Sequence, residues 1–150
     1  MCFPGGLSGK AIGMDLTEFK ETGPVTRDVD EGKRTILIYS PDLNFCFSLF
    51  MLFQDKYNVV TTTNPGMLET FVTHYSASLV IVDALPSGKM IERLDAIKQL
   101  NAGLPIIMLY VYNQKEVGLD REIRNHVDSV FYKPFDVAAV SKHIQELLPK

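Results

Sequence analysis

The chain predicts an α/β fold, a doubly wound five-stranded parallel sheet with helices on both faces. Three observations carry this expectation. From Thr35 onward, short apolar runs alternate with longer stretches whose apolar residues recur at helical spacing. Runs such as Leu79-Val80-Ile81-Val82 and Ile106-Ile107-Met108-Leu109 show no polar alternation, the pattern of strands buried on both faces. Proline follows a capping residue at Ser40-Pro41 and Asn64-Pro65, where helices should begin. Strand–helix units repeated five times, joined by right-handed crossovers, close into an open parallel sheet.

Each element has its own signal. Thr35–Tyr39 is a continuous apolar strand. Ser40-Pro41-Asp42 then reads as N-cap, first helical position and acidic first turn of a helix reaching about residue 55. Asn58–Thr62 is rich in β-branched residues and predicts a strand. After Asn64-Pro65, a helical stripe runs through Met67, Leu68, Phe71, Val72 and Tyr75. Leu79–Asp83 is the third strand. Met90, Ile91, Leu94, Ile97 and Leu100 make the third helix, which stops near Gly103-Leu104-Pro105. Ile106–Tyr110 is the fourth strand, and a helix weakened by Gly118 follows over about 115–126. Ser129–Tyr132 is the fifth strand. Asp136 opens the last helix, with Val137, Val140, Ile144, Leu147 and Leu148 inward.

Residues 1–33 differ in character. Six of the ten glycines fall there, with Pro4 and Pro24, and 28–34 is mixed charge with little to bury, so this segment reads as a flexible or loosely docked N-terminal extension to a domain over 34–150. Within it, Ile12, Leu16 and Phe19 share a helical spacing, and Ile12–Phe19 reads either as a short docking helix or as part of a tail. The first helix of the domain is apolar almost all round, from Phe45 through Cys46, Phe47, Leu49, Phe50, Met51 and Leu52 to Phe53. A one-sided helix needs only a stripe, so the surplus would meet the N-terminal segment, a partner or a second copy, or be buried between neighbouring elements.

Composition bounds the function. The length of 150 residues and a 46% apolar content suit one domain with an ordinary core. The formal net charge of −3 with no basic block argues against a nucleic-acid groove. The apolar stretch Phe45 to Phe53 is too short to span a bilayer, and no secretion signal is visible, so a cytoplasmic protein is expected. Two cysteines, Cys2 and Cys46, make no disulfide framework, and Cys46 reads as a reduced core residue. His74, His126 and His143 lack metal-ligand spacing. No glycine-rich phosphate loop follows the first strand, which removes dinucleotide and P-loop readings.

What remains is the set of strand ends. In a doubly wound sheet the ligand site lies at the carboxyl ends of the strands, where Asp83, Tyr110 and Lys133 fall. Leu79-Val80-Ile81-Val82-Asp83 with Pro86 and Gly88 after it, Pro105-Ile106-Ile107-Met108-Leu109, and Lys133-Pro134-Phe135 together resemble the receiver domain of bacterial response regulators over residues 34–150. The resemblance implies a flavodoxin-like sheet with strand order 2-1-3-4-5. It implies that Asp83 is the phosphoacceptor, charged by a histidine kinase, and that Lys133 pairs with the phosphoryl group. It also implies a Mg²⁺ ion held by two acids just after the first strand.

The chain departs from that pattern at four positions. The acid pair is replaced by Ser40 and Pro41, the fourth-strand hydroxyl by Tyr110, and the mobile fifth-strand aromatic by Val130. Only Asp83 and Asp42 are left as weak metal ligands. Unit charges about 4 Å apart interact by about 4 kcal/mol at an effective dielectric near 20, so losing two carboxylates should weaken Mg²⁺ binding by roughly thousands-fold. Asp83 is then either a working phosphoacceptor or simply the ion-pair partner of Lys133. The expectation is a degenerate, non-enzymatic receiver-like domain acting through signalling proteins, a kinase or a downstream effector, with a homodimer as one form. An authentic phosphoacceptor is the alternative, and a small flavodoxin-like enzyme is a third reading.

Overall fold

The computed structural model describes residues 22–148. Its strands are β1 (Thr22–Val25), β2 (Thr35–Tyr39), β3 (Asn58–Thr62), β4 (Leu79–Asp83), β5 (Ile106–Tyr110) and β6 (Ser129–Tyr132). Its α-helices are α1 (Leu43–Phe53), α2 (Leu68–His74), α3 (Gly88–Leu100), α4 (Val117–Ile123) and α5 (Val137–Leu147). They form one sheet in the order β1-β3-β2-β4-β5-β6, parallel everywhere except the β1–β3 pair. The five predicted strands take their expected order. Among the described residues the five-strand count is corrected to six.

The sixth strand comes from within 1–33, the segment assigned to an extension. Thr22 lies opposite Thr62 and Val25 opposite Val60, with an irregular register between them. Gly23 and Pro24 read as strand breakers, yet an edge strand tolerates both. Pro24 lacks an N–H but its carbonyl accepts the Thr61 hydroxyl at 2.9 Å. Thr26 completes the seam: its N–H donates to the Val59 carbonyl and its hydroxyl accepts the Val59 N–H at 2.7 Å. The buried Asn58 side chain anchors the loop after β1. It accepts the Asp30 N–H and donates to the Asp30 and Lys33 carbonyls. The segment 22–33 is therefore tied to the sheet. The Ile12–Phe19 piece lies outside the described residues.

Strands β3, β4 and β5 are buried along their whole length, which explains the apolar runs of β4 and β5, while the buried polar Asn58 and Thr61 of β3 bond to the segment 22–33. Strand alternation divides the core in two. On one face Leu37, Val80, Val82 and Met108 pack with Leu68, Phe71, Leu94, Ile97 and Ile123 of α2, α3 and α4. On the other, Ile36, Ile38, Ile81, Ile107 and Leu109 pack with Leu49, Phe53, Val140 and Ile144 of α1 and α5. The predicted caps Asn64 and Asp136 are found, each side chain accepting a backbone N–H. The helix around Gly118 is shorter than predicted, a 3₁₀ turn at Gln114–Glu116 followed by seven residues of α4.

The start of α1 differs from expectation. Its N-cap is Asp42, whose carboxylate accepts the N–H groups of Asn44 and Phe45. A carboxylate makes the stronger, charge-assisted cap and suits the positive end of the helix, so it prevails over Ser40. Pro41 accordingly stays outside the helix.

The tight β1 seam generates a test. A Cβ on Gly23 would lie 2.2 Å from Thr61 Oγ1 and 3.5 Å from Cys46 Cβ. Thr61 is β-branched and fully buried, so it cannot swing aside without losing its bond to Pro24. Gly23→Ala should cost about 1–3 kcal/mol, read as a lower midpoint in urea unfolding. Unchanged stability would mean that β1 is not packed as described.

Candidate functional site

The site follows from register and alternation. Tyr39 of β2 stands beside Val82 of β4, so the next residues, Ser40 and Asp83, are neighbours. Along both strands the residues two positions earlier, Ile38 and Ile81, face the α1/α5 side. Ser40 and Asp83 continue that parity and project to the same side. Across β5, Tyr110 pairs with Tyr132, and Lys133 follows one residue later, its N–H bonded to the Tyr110 carbonyl at 2.9 Å.

The Asp83 carboxylate is almost closed off, with the residue 7% exposed, and both of its oxygens are engaged. Oδ1 forms an ion pair with Lys133 Nζ. Oδ2 accepts the Ser40 hydroxyl at 2.7 Å. Ser40 Oγ in turn accepts the Asp42 N–H at 3.0 Å. Lys133 Nζ lies 4.8 Å from the centroid of the Phe45 ring, which meets Phe135 edge-on at 6.2 Å. The ion pair thus has an aromatic flank on the α1/α5 side, which limits its hydration and strengthens it. Nearby, burial pushes the Tyr39 phenol above its ordinary pKa, and the Asp83 charge adds to that rise. Burial likewise raises the Cys46 thiol, which donates weakly to the Ser40 and Thr62 carbonyls. Such a thiol is protonated at neutral pH and unreactive.

Ser40, Asp83 and Lys133 are brought together, but Asp42, Tyr110 and Val130 do other work. Asp42 turns its carboxylate to the helix amides. Mg²⁺ prefers octahedral oxygen ligation with one or two carboxylates free to bind it. Here one carboxylate is shared between a lysine and a serine, and the other caps α1, so this donor set does not fit the ion. Among the described residues, no group of three or more His, Cys, Asp or Glu side chains is arranged to hold a metal. Val130 is half-buried in β6 and packs against the α2/α3 core.

Tyr110 faces the opposite side of the sheet. It belongs to the core under α2 and α3, and its hydroxyl donates to Asp120 Oδ1 in α4. The same oxygen accepts the Tyr132 hydroxyl at 2.8 Å, while Arg124 donates to Asp120 Oδ2 at 3.3 Å and to the Tyr132 hydroxyl at 2.6 Å. Tyr112 closes the group, its ring 5.1 Å from that of Tyr132. Burial works to raise the Asp120 pKa, but the bonds from Tyr110, Tyr132 and Arg124 outweigh it and hold the carboxyl below its ordinary range. Burial and the bond to Asp120 drive the Tyr110 phenol far above its ordinary value.

Sequence reasoning missed Asp120, Tyr132 and Arg124. One signal was available: Asp120 lies one helical turn before the apolar Ile123, on the same face, with Arg124 four residues on. The histidines lie apart from the Asp83 site: His126 contacts Asp95, and His143 contacts Ser129 and Glu146. An open depression of about 960 Å³, lined by Lys33, Arg34, Lys56 and Tyr57, lies at the opposite, amino-terminal ends of the strands.

No protein-family model matches the chain, and no curated protein matches it in sequence. Solved structures do match in shape. A two-component response regulator from Clostridium difficile superposes with a TM-score of 0.67 at 17% identity, covering 79% of this chain and 98% of that one. The Vibrio cholerae chemotaxis protein CheY4 gives 0.64 at 18% identity over 77% and 99%. A pilus assembly-related protein from Burkholderia pseudomallei gives 0.65 at 19% over 79% and 91%. At such identities the likeness concerns the fold, and fold does not fix function. No helix among the described residues is long and apolar enough to cross a membrane.

Two tests follow from these geometries. Lys133→Ala leaves a nearly buried carboxylate with only Ser40 for company and should destabilise by about 1–3 kcal/mol. Asp83→Asn should relieve part of that loss, so a double-mutant cycle in urea should give a coupling of about 0.5–3 kcal/mol. Strictly additive losses would contradict the ion pair. For Asp120, the lowered folded pKa makes its contribution complete above the ordinary aspartate value of about 3.9 and lost as pH falls through the folded value. Asp120→Asn should therefore lower stability at neutral pH and flatten the acid limb below about pH 4. Parallel acid limbs in wild type and variant would contradict the network. We conclude that the described chain has the receiver-type flavodoxin-like fold, with Ser40, Asp83 and Lys133 joined at its strand ends.

Proposed function

We propose that this chain is a receiver-like signalling module with degenerate phosphorylation chemistry, acting by binding other proteins. The observation that carries the reading is the engagement of both Asp83 oxygens, Oδ2 by the Ser40 hydroxyl at 2.7 Å and Oδ1 by Lys133. Attack on a phosphoryl donor needs a carboxylate lone pair free to reach phosphorus and a cation to neutralise the phosphoryl oxygens. In the receiver pattern the Ser40 position supplies an acid to that cation. A neutral hydroxyl there adds no charge for the ion and instead occupies the nucleophile. Each hydrogen bond to a charged group is worth about 1.5–3 kcal/mol, which must be given up before attack.

On this reading the protein is a cytoplasmic binding module rather than an enzyme. Its partners are signalling proteins, a kinase or a downstream effector, and nucleic acid is not among them. The similarity of its fold to a response regulator and a chemotaxis protein supports signalling. A pilus assembly-related protein shares the fold, so the reading rests on the Asp83 geometry and not on the fold alone.

A second reading, an authentic phosphoacceptor, is favoured by Asp83 and Lys133 standing paired at adjoining strand ends. Incubation with acetyl phosphate and Mg²⁺, followed by intact-mass measurement, separates the two. We expect the wild-type chain to stay unmodified. We expect the Ser40→Asp, Pro41→Asp double variant, with the acid pair restored, to gain a phosphoryl mass that Asp83→Asn removes. Efficient labelling of the wild-type chain at Asp83 would sink the degenerate reading.

A further inference from the structure

Helix α1 has more apolar surface than its packing uses. Cys46, Leu49 and Phe53 are buried against the sheet. On the outer side Leu43 is 47%, Phe47 49% and Met51 62% exposed among the described residues. These three are spaced four residues apart and form a single outward stripe about 12 Å long. Phe50 borders the stripe, half-buried, and α1 carries no charged residue. Phe47, Phe50 and Gln54 floor a groove of about 610 Å³ whose wall is the β1 chain from Gly23 to Asp28.

We propose that this groove is the docking site of the chain's own Ile12–Phe19 segment. Three features argue for that occupant over a second copy. The first is position. Thr22 stands opposite Thr62, at the carboxyl end of β3, and β1 runs from there along the groove. Only Lys20 and Glu21 separate Phe19 from Thr22, so the segment is tethered within reach of the groove beside β1. The second is pattern and length. Ile12, Leu16 and Phe19 recur at helical spacing over about 10 Å of helix, which matches the α1 stripe. The third is continuity. The N-terminal chain already covers one flank of α1 through β1, held by the close approach of Gly23 to Thr61 and Cys46. The groove margin carries Arg27 and Lys33 against one acid, Asp28, and the segment carries Asp15 and Glu18. Docking would remove an exposed stripe that is unusual for an isolated surface helix.

The test uses the full chain with Cys2→Ser and Ser48→Cys, the new thiol on exposed α1 carrying a nitroxide spin label. The buried Cys46 is left unlabelled. We expect strong paramagnetic loss of the amide signals of residues 12–19 in an isotope-labelled chain, and its disappearance when Leu16→Glu and Phe19→Glu are added. Three outcomes would overturn the proposal. One is no loss at 12–19. Another is loss that persists in the double glutamate variant. The last is loss that also occurs when the spin label sits on unlabelled molecules mixed with label-free isotope-enriched ones, which would identify a second copy as the occupant.

Discussion

The parallel pairing of β2 with β4 is the constraint on which the rest of the structure depends. With Tyr39 beside Val82, the two residues that leave the strands together are Ser40 and Asp83. A slip of one residue would turn every side chain of β2 to the opposite face and separate the pair. The register is held because Ile36, Leu37 and Ile38 are each fully buried in close-packed cores on the two faces of β2, so a slip would mismatch side-chain shapes on both sides at once. Once Ser40 is engaged by Asp83, the first amide beyond Pro41 turns to the Ser40 hydroxyl, and the helix is capped one step later by Asp42. That start brings Phe45 beneath the Lys133 ammonium. The hydroxyl, the cap and the aromatic flank are consequences of one pairing.

The energetics of the site are asymmetric. A nearly buried carboxylate is costly alone and tolerable when both oxygens have partners. The partners differ in kind. Lys133 supplies charge and remains partly hydrated, with its side chain 31% exposed, so its attraction is screened in part by water. Ser40 is fully buried and supplies a directional bond without charge. On the proposed reading, such an arrangement holds a resident anion and does not prepare it to react.

Much of the scaffold was legible because its strands are buried on both sides and its helices carry apolar stripes. The unbroken runs at Leu79–Asp83 and Ile106–Tyr110 have few competing interpretations, and both are strands with the expected ends. Strand β1 was not legible: Gly23 and Pro24 argue locally against a strand, and only pairing with β3 reveals that an edge position forgives them. Ser40 was misread for a similar reason. Next to Pro41 it looks like a helix cap, and the carboxylate that claims its hydroxyl is forty-three residues away in sequence. Asp83 and Lys133 were legible as strand-end residues, one of their expected relations being the ion pair observed. The Tyr110–Asp120–Tyr132–Arg124 group escaped notice because α4 is short and weakly patterned, so an inward aspartate did not stand out against its neighbours.

The alternation that sends Ser40 and Asp83 to the α1/α5 side sends Tyr110 and its partners to the side of α2, α3 and α4. The sheet therefore works as a partition between two polar clusters, each nearly self-sufficient in hydrogen bonds. Their direct bridge is the backbone bond from Lys133 to the Tyr110 carbonyl, at the junction of β5 and β6. Side chains on one side can change charge or size without demanding a matching change on the other. The Asp83 cluster and the tyrosine-lined surface near α4 are therefore separable: a substitution in one leaves the side-chain hydrogen bonds of the other in place.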